Sequence, residues 1–241
     1  RVKEYAADFL IACLLLGLAE RWRREPSWTR AWPIGLVGSL CLLVSAQTLL
    51  VTGAVLLMMT LSCLADRSRW RQVLVTASTI GLAVVVGEFL WFRHIVPNLS
   101  ANWTAKGYML NLESLHTAWF SIIHMLSGLG HGFLGLAIPY SFNPQTTSTL
   151  AITWSILVGA TLLFLLILAL LPVTTSWRSG PGPLVAPALV LLAAVAGAVS
   201  QVTPFGGGRT DEVLYPALVV LLCGALTWLH QRFSPRETLW W

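Results

Sequence analysis

Residues 31–64 read AWPIGLVGSLCLLVSAQTLLVTGAVLLMMTLSCL, and how that run is divided decides the fold. Taken whole, it is well beyond the roughly 20 residues a helix needs to cross about 30 Å of hydrocarbon. Divided at Ser45-Ala46-Gln47, it becomes two short helices, Ala31 to Val44 and Thr48 to Leu64, folded back on each other. Charge decides between the two. With a hairpin, Arg21, Arg23, Arg24, Arg30, Arg67, Arg69, Arg71, Arg178, Arg232 and Arg236 gather on one side, against Arg1, Lys3, Arg93, Lys106 and Arg209 on the other. That bias follows the positive-inside rule, and a single long helix would largely erase it by moving Arg67, Arg69 and Arg71 across.

The rest of the chain has the same character. Of 241 residues, 56% are hydrophobic and only 10% charged, too few polar groups to cover the surface of a soluble core that apolar. Further apolar segments run at about Tyr5 to Ala19, Gln72 to Phe92, Thr149 to Leu171, Leu184 to Val202 and Val213 to Leu229. The expectation is therefore all-α: a polytopic transmembrane helical bundle of about seven spans, forming one domain over residues 1–241. Residues 93–148 are too long for a simple connector. They mix Trp103, Tyr108, Trp119 and Phe120 with Gly128, Gly130, Gly132 and Gly135, and are expected to form an extracytoplasmic loop or lid containing interfacial helices. Because the chain opens on Arg1 and enters an apolar segment at once, it reads as part of a longer protein.

A formal charge of +5 in such a chain points to a membrane surface rather than to nucleic acid. Trp22, Trp28, Trp32, Trp70, Trp91, Trp177, Trp228, Trp240 and Trp241 lie near the ends of apolar runs and are expected to form an interfacial aromatic belt. Cys13, Cys41, Cys63 and Cys223 all sit inside apolar runs without CxxC or CxxH spacing, which argues against a disulfide framework or a zinc site. His116, His124 and His131 are too widely spaced for a typical zinc ligand set. The triplets beginning at Asn98 and Asn102 fit the glycosylation sequon, a pattern that arises easily by chance. No Walker A, GxSxG, HExxH or dinucleotide fingerprint occurs.

Three polar islands remain, and the hairpin places them all on the extracytoplasmic face. Glu4 and Asp8 are four residues apart, hence on one helix face, with Tyr5 beside them and Lys3 just before. Asp8 is about a turn inside the apolar segment, where an ionisable group marks a functional site or a paired charge. The plain alternative is that both acids complement the positive end of the helix dipole. Glu88, near Arg93 and His94, either pairs locally with the arginine or contributes to an acceptor pocket. Pro204-Phe205-Gly206-Gly207-Gly208-Arg209-Thr210-Asp211-Glu212 joins approachable backbone amides and a guanidinium just before a helix start, a combination suited to phosphate. Its alternative reading is a snorkelling Arg209 paired with Asp211 or Glu212.

Those islands carry a family resemblance. Lys3-Glu4-Tyr5-Ala6-Ala7-Asp8 resembles the KxYxxD helix start of bacterial GT-C-type membrane glycosyltransferases. Tyr108, after Asn102-Trp103-Thr104-Ala105-Lys106-Gly107, resembles their YWxxGF segment, and residues 204–210 resemble their late PFGxGR loop, followed by a helix with a proline, here Pro216. The chain is thus similar to the protein O-mannosyltransferase and aminoarabinose transferase group, which use polyprenyl-phosphate sugars outside the cytoplasm. Ser45-Ala46-Gln47 departs from the Ser-aromatic-Pro break common in that group, and residues 102–108 depart from its aromatic pattern. Nothing here matches the upstream loop that carries the family's catalytic acid.

The resemblance implies the C-terminal portion of a glycosyltransferase in the bacterial plasma membrane, moving a sugar from a polyprenyl-phosphate donor to an extracytoplasmic glycan, lipid or protein acceptor. Arg209 and the amides of Gly206, Gly207 and Gly208 are the candidates for the lipid phosphate, with Lys3 as a second cation. Glu4 and Asp8 are candidates for positioning donor hydroxyls or a divalent metal, though two acids four apart are a sparse oxygen-ligand set. Tyr5 and Glu88 complete the substrate-binding candidates, and no catalytic base is assigned. The rival readings are a transporter or channel subunit with a polar path through Asp8, Glu88 and Arg209, and a non-catalytic membrane scaffold.

Overall fold

In the computed structural model, residues 2–45, 48–87, 118, 153, 157, 160, 161, 164, 182–200 and 213–233 are described. Six helices run through them: α1 (Val2–Arg24), α2 (Trp28–Val44), α3 (Thr48–Ala65), α4 (Trp70–Gly87), α5 (Val185–Val199) and α6 (Tyr215–Phe233), with a 3₁₀ turn at Arg67–Arg69 before α4. No strand occurs among the described residues.

The run 31–64 is two helices. Ser45 adopts an extended backbone (φ −146°, ψ 125°) while its N–H still donates to the Cys41 carbonyl at 2.8 Å, so the helical ladder stops there. Thr48 reopens it, its hydroxyl donating to the Ser45 carbonyl at 2.7 Å. A Cβ added to Gly38 of α2 would lie 3.1 Å from Thr52 Cγ2 of α3. Gly38 and Thr52 are equally far along the chain from Ser45, so the helices run antiparallel as a hairpin.

The other described turns have equally local causes. Pro26 lacks an N–H and disfavours helical geometry at the residue before it, which ends α1 close to Arg24. Ser27, extended at φ −150°, opens α2, its carbonyl accepting from the N–H groups of Arg30 and Ala31. Arg30 then ties the two helices together, donating to the Arg21 carbonyl at 3.1 Å and pairing with Glu25. Between α3 and α4, the Asp66 carboxylate accepts from the Ser68 N–H at 3.0 Å and from the Arg69 guanidinium at 3.0 Å, which sets the 3₁₀ turn.

Small residues govern the closest packing. Ala31, Gly35 and Gly38 share one face of α2, and α4 lies directly against it: a Cβ on Gly35 would come within 2.6 Å of Thr79 Oγ1. The Thr76 hydroxyl donates across to the Ala31 carbonyl at 3.4 Å. The matches Ala31 to Thr76, Gly35 to Thr79 and Gly38 to Ile80 advance together, so α2 and α4 are parallel. Backbone approach through small residues is how helices associate when no hydrophobic drive separates one apolar surface from another. α3 packs on α1, α2, α4 and α5, and α6 closes against α5 and α1. Leu184, just before α5, meets Gly224 near the middle of α6.

The core joins Leu15, Trp22, Ile34, Met58, Met59, Leu214 and Leu221, all fully buried. The outside is also apolar: Leu10, Leu40, Leu64, Leu82, Val85, Leu192 and Leu226 are exposed. Among the described residues one helical stretch, Arg67–Gly87, is long and apolar enough to cross a membrane, and Thr48–Leu64, Val185–Val199 and Tyr215–His230 are shorter apolar helices. Only 28% of the apolar window in Arg67–Gly87 is buried, whereas the core helix of a soluble protein would be mostly covered. The expected segment 149–171 is described only at Thr153, Leu157, Ala160, Thr161 and Phe164, each helical and exposed. The expected loop region 93–148 lies outside the described residues except for Ala118, which is helical.

The aromatic belt needs one correction. Trp28, Trp32 and Trp70 are exposed at helix starts, but Trp22 is fully buried and its indole N–H donates to Gln72 Oε1 at 2.8 Å. A buried indole requires such an acceptor, and α4 supplies one.

Candidate functional site

Helix direction sorts the polar groups to two ends of the bundle. At one end α1 stops, α2 starts and α3 hands over to α4, bringing together Arg21, Arg23, Arg24, Arg30, Arg67, Arg69 and Arg71. The acids there are matched to them. Glu20 accepts from Arg23 at 2.7 Å and from Arg24 at 2.8 Å; those hydrogen bonds, the Arg23 one foremost, hold its carboxyl below the ordinary glutamate range. Asp66 is likewise held low, first by its hydrogen bond from the Ser68 hydroxyl and then by the Ser68 N–H and Arg69.

At the other end lie the start of α1, the Ser45 turn and the last residues of α4. Asp8, in the second turn of α1, is 8% exposed, and its charge reaches the Cys41 thiol of α2. The sequence left Asp8 between a solvated helix-start acid and a buried functional or paired one, and its position is the buried one. Lys3, Glu4 and Tyr5 belong to the opening turns of the same helix, and their side chains lie outside the described residues. Because α4 runs parallel to α2, its last residue, the buried Gly87, is at the Asp8 end. Glu88, the next residue, lies outside the described residues, as do Gly206, Gly207, Gly208 and Arg209. The structure therefore groups the α1 candidates and brings the chain leading to Glu88 to the same end.

Buried hydroxyls occur on α2 and α3 in a way that motif reading passed over. Thr48 and Thr52, on the first two turns of α3, are buried, and the Thr52 hydroxyl has no hydrogen-bond partner among the described residues. Ser39 of α2 shares that condition. The signal was available as a Thr at i and i+4 on an apolar helix entering from the Ser45 turn. Most buried hydroxyls find a partner, so unsatisfied ones mark an interior capable of further hydrogen bonding.

A carboxylate can accept hydrogen bonds, and a hydroxyl can donate or accept them. Among the described residues no three His, Cys, Asp or Glu side chains gather, so a divalent metal has no described ligand set. All four cysteines are free, with Cys41 buried and Cys13 and Cys223 exposed.

Two open grooves flank the bundle. One, of about 500 Å³, follows α1 from Phe9 to Arg24 and is walled by Met58, Pro187 and Pro216. The other, of about 480 Å³, lies between α2 and α4. No known protein-family model, curated protein or solved structure matches the chain.

Proposed function

We propose that the chain is an integral membrane protein, the C-terminal portion of a polytopic glycosyltransferase of about seven spans that takes its sugar from a polyprenyl-phosphate donor. In this reading the arginine end faces the cytoplasm and the Asp8 end faces outward, following the positive-inside rule. The observation that carries the functional part is the burial of Asp8. A carboxylate inside an apolar bundle is costly, and by default it marks a functional site. Here it lies on the helix whose start resembles the donor-binding helix of the GT-C enzymes.

Asp8 and Glu4 hold donor hydroxyls, while Tyr5 and Glu88 face the acceptor. Arg209, the amides of Gly206 to Gly208 and Lys3 hold the lipid phosphate. As the anomeric bond breaks, negative charge grows on the departing phosphate, and preplaced cations and amides stabilise it most at that moment. The acceptor hydroxyl attacks the anomeric carbon and gives up its proton to a base that none of these residues is assigned to be.

The experiment is binding of a polyprenyl-phosphate sugar to the protein in bilayers, comparing wild type with Asp8→Asn and Arg209→Ala. Saturable binding that falls at least about tenfold in each variant, equivalent to about 1.4 kcal/mol, is expected. Unchanged binding in Arg209→Ala would remove the phosphate assignment, and unchanged binding in both would remove the donor site.

A further inference from the structure

The α2/α4 groove starts at Trp28, by the arginine end, and follows α4 as far as Val86, and nothing in the proposed transfer reaction uses it. Its walls are Trp28, Trp32 and Leu36 of α2 facing Val75, Leu82 and Val86 of α4, enclosing about 480 Å³. Because the two helices are parallel, both walls rise from the same end. Each wall, from Trp28 to Ser39 or from Val75 to Val86, is about 16 Å long at 1.5 Å per residue, and the two are staggered along the bundle.

The mouth carries the charge. Arg71 lies one turn before Val75 on the same face of α4, and its guanidinium sits over the Trp70 ring at 5.7 Å. Arg23, Arg24, Arg30 and Arg69 each hold a carboxylate, but Arg71 has no ion pair among the described residues. The first turn of α2 contains no acid, and Ser27 makes no side-chain cap there, so the positive end of that helix adds to the charge at the mouth. Trp28 and Trp70 are exposed beside it, where amphipathic rings settle at headgroup level. The α1 groove differs on this point: Glu20 at its arginine end is already neutralised by Arg23 and Arg24.

We propose that the α2/α4 groove seats one acyl chain of an anionic glycerophospholipid from the arginine-side leaflet, with Arg71 at the phosphate. The proposal rests on the membrane reading but not on the transferase reading. The apolar walls favour a hydrocarbon chain over lateral contact with bulk lipid by giving it a fixed, dry surface on two sides. The uncompensated guanidinium selects the negative headgroup over a zwitterionic one.

The test uses the full chain in nanodiscs of phosphatidylcholine with a minor fraction of phosphatidylglycerol, with lipids retained on the protein counted by native mass spectrometry. Wild type is expected to retain one phosphatidylglycerol preferentially. Arg71→Ala is expected to weaken that retention about fivefold, the effect of one basic residue near an anionic surface. Val75→Trp, which fills the groove from an exposed position, is expected to abolish it, and Arg24→Ala to leave it unchanged. Retention unaltered by both Arg71→Ala and Val75→Trp would overturn the lipid site and leave the membrane reading standing. Release of the wild-type chain from membranes by alkaline carbonate would overturn both.

Discussion

The two ends of the bundle are built from the same helices and treat charge in opposite ways. At the arginine end, Glu20, Glu25 and Asp66 are at the surface, each held by an arginine a few residues away in sequence. At the other end Asp8 is inside, among residues of α1 and α2 far apart in the chain. Local surface pairs shape turns and contribute little energy each. A buried carboxylate is expensive to keep, and inside a membrane bundle it is by default a functional-site hypothesis. The contrast explains why function is assigned to the end with fewer charges.

The largest effect expected from breaking this arrangement is at Trp22, which anchors the arginine end from within. Trp22→Ala removes a fully buried indole and orphans Gln72, and thermal unfolding in detergent is expected to register a loss of about 3–5 kcal/mol. Trp22→Phe is expected to cost only the hydrogen bond, about 1 kcal/mol. If Trp22 were a belt residue, both changes would be nearly silent.

Gly35→Leu comes next, because its side chain would be driven into Thr79 where α2 and α4 touch. A destabilisation of about 1–3 kcal/mol is expected, as for overpacking elsewhere. Gly17→Leu, with open space around its Cβ, is the control and is expected to melt with wild type.

Asp8→Asn sharpens the comparison most. Were Asp8 one half of a structural ion pair, its neutralisation would lower stability by about 3–5 kcal/mol. The account expects donor binding to fall at a temperature where the variant is still folded, which separates a binding role from a purely structural one.

The smallest effect belongs to Glu20. Its folded carboxyl titrates below its unfolded value, so its contribution is complete above the unfolded pKa of about 4.3 and is lost as pH falls through the lower folded value. Glu20→Gln is expected to cost under about 1 kcal/mol at pH 7, a difference that shrinks with added salt and vanishes in acid. A gap between variant and wild type that did not shrink as the pH fell below the ordinary glutamate range would contradict the ion-pair account.

Much of the helical layout was legible because its causes are local. Pro26, Ser45 and Asp66 each end or start a helix through their own backbone or side chain, and the arginine count chose correctly between one helix and two over residues 31–64. Trp22 was misread because a tryptophan near a helix end beside arginines has the same pattern whether it faces lipid or its own bundle. Only Gln72, fifty residues away in sequence, decides between them. The close α2/α4 contact was written in the sequence as Ala31, Gly35 and Gly38, but a small residue carries no address for its partner. Asp8 stood out because an acid in an apolar run is conspicuous, whereas Thr48 and Thr52 are ordinary helix residues until their burial is known. Glu88 and the glycine loop with Arg209 lie outside the described residues, so their grouping with Asp8 remains part of the proposal.

The central claim is that these two ends lie on opposite sides of a bilayer, with the Ser45 turn and Asp8 outside. It is tested most directly by side-resolved labelling of single cysteines placed at Gln47 and Ser68, in a chain whose four native cysteines are replaced by alanine. A membrane-impermeant maleimide added to intact cells is expected to label Gln47→Cys and to reach Ser68→Cys only after the membrane is opened. Labelling of both positions from the same side, or protection of Gln47→Cys within the membrane, would contradict the account.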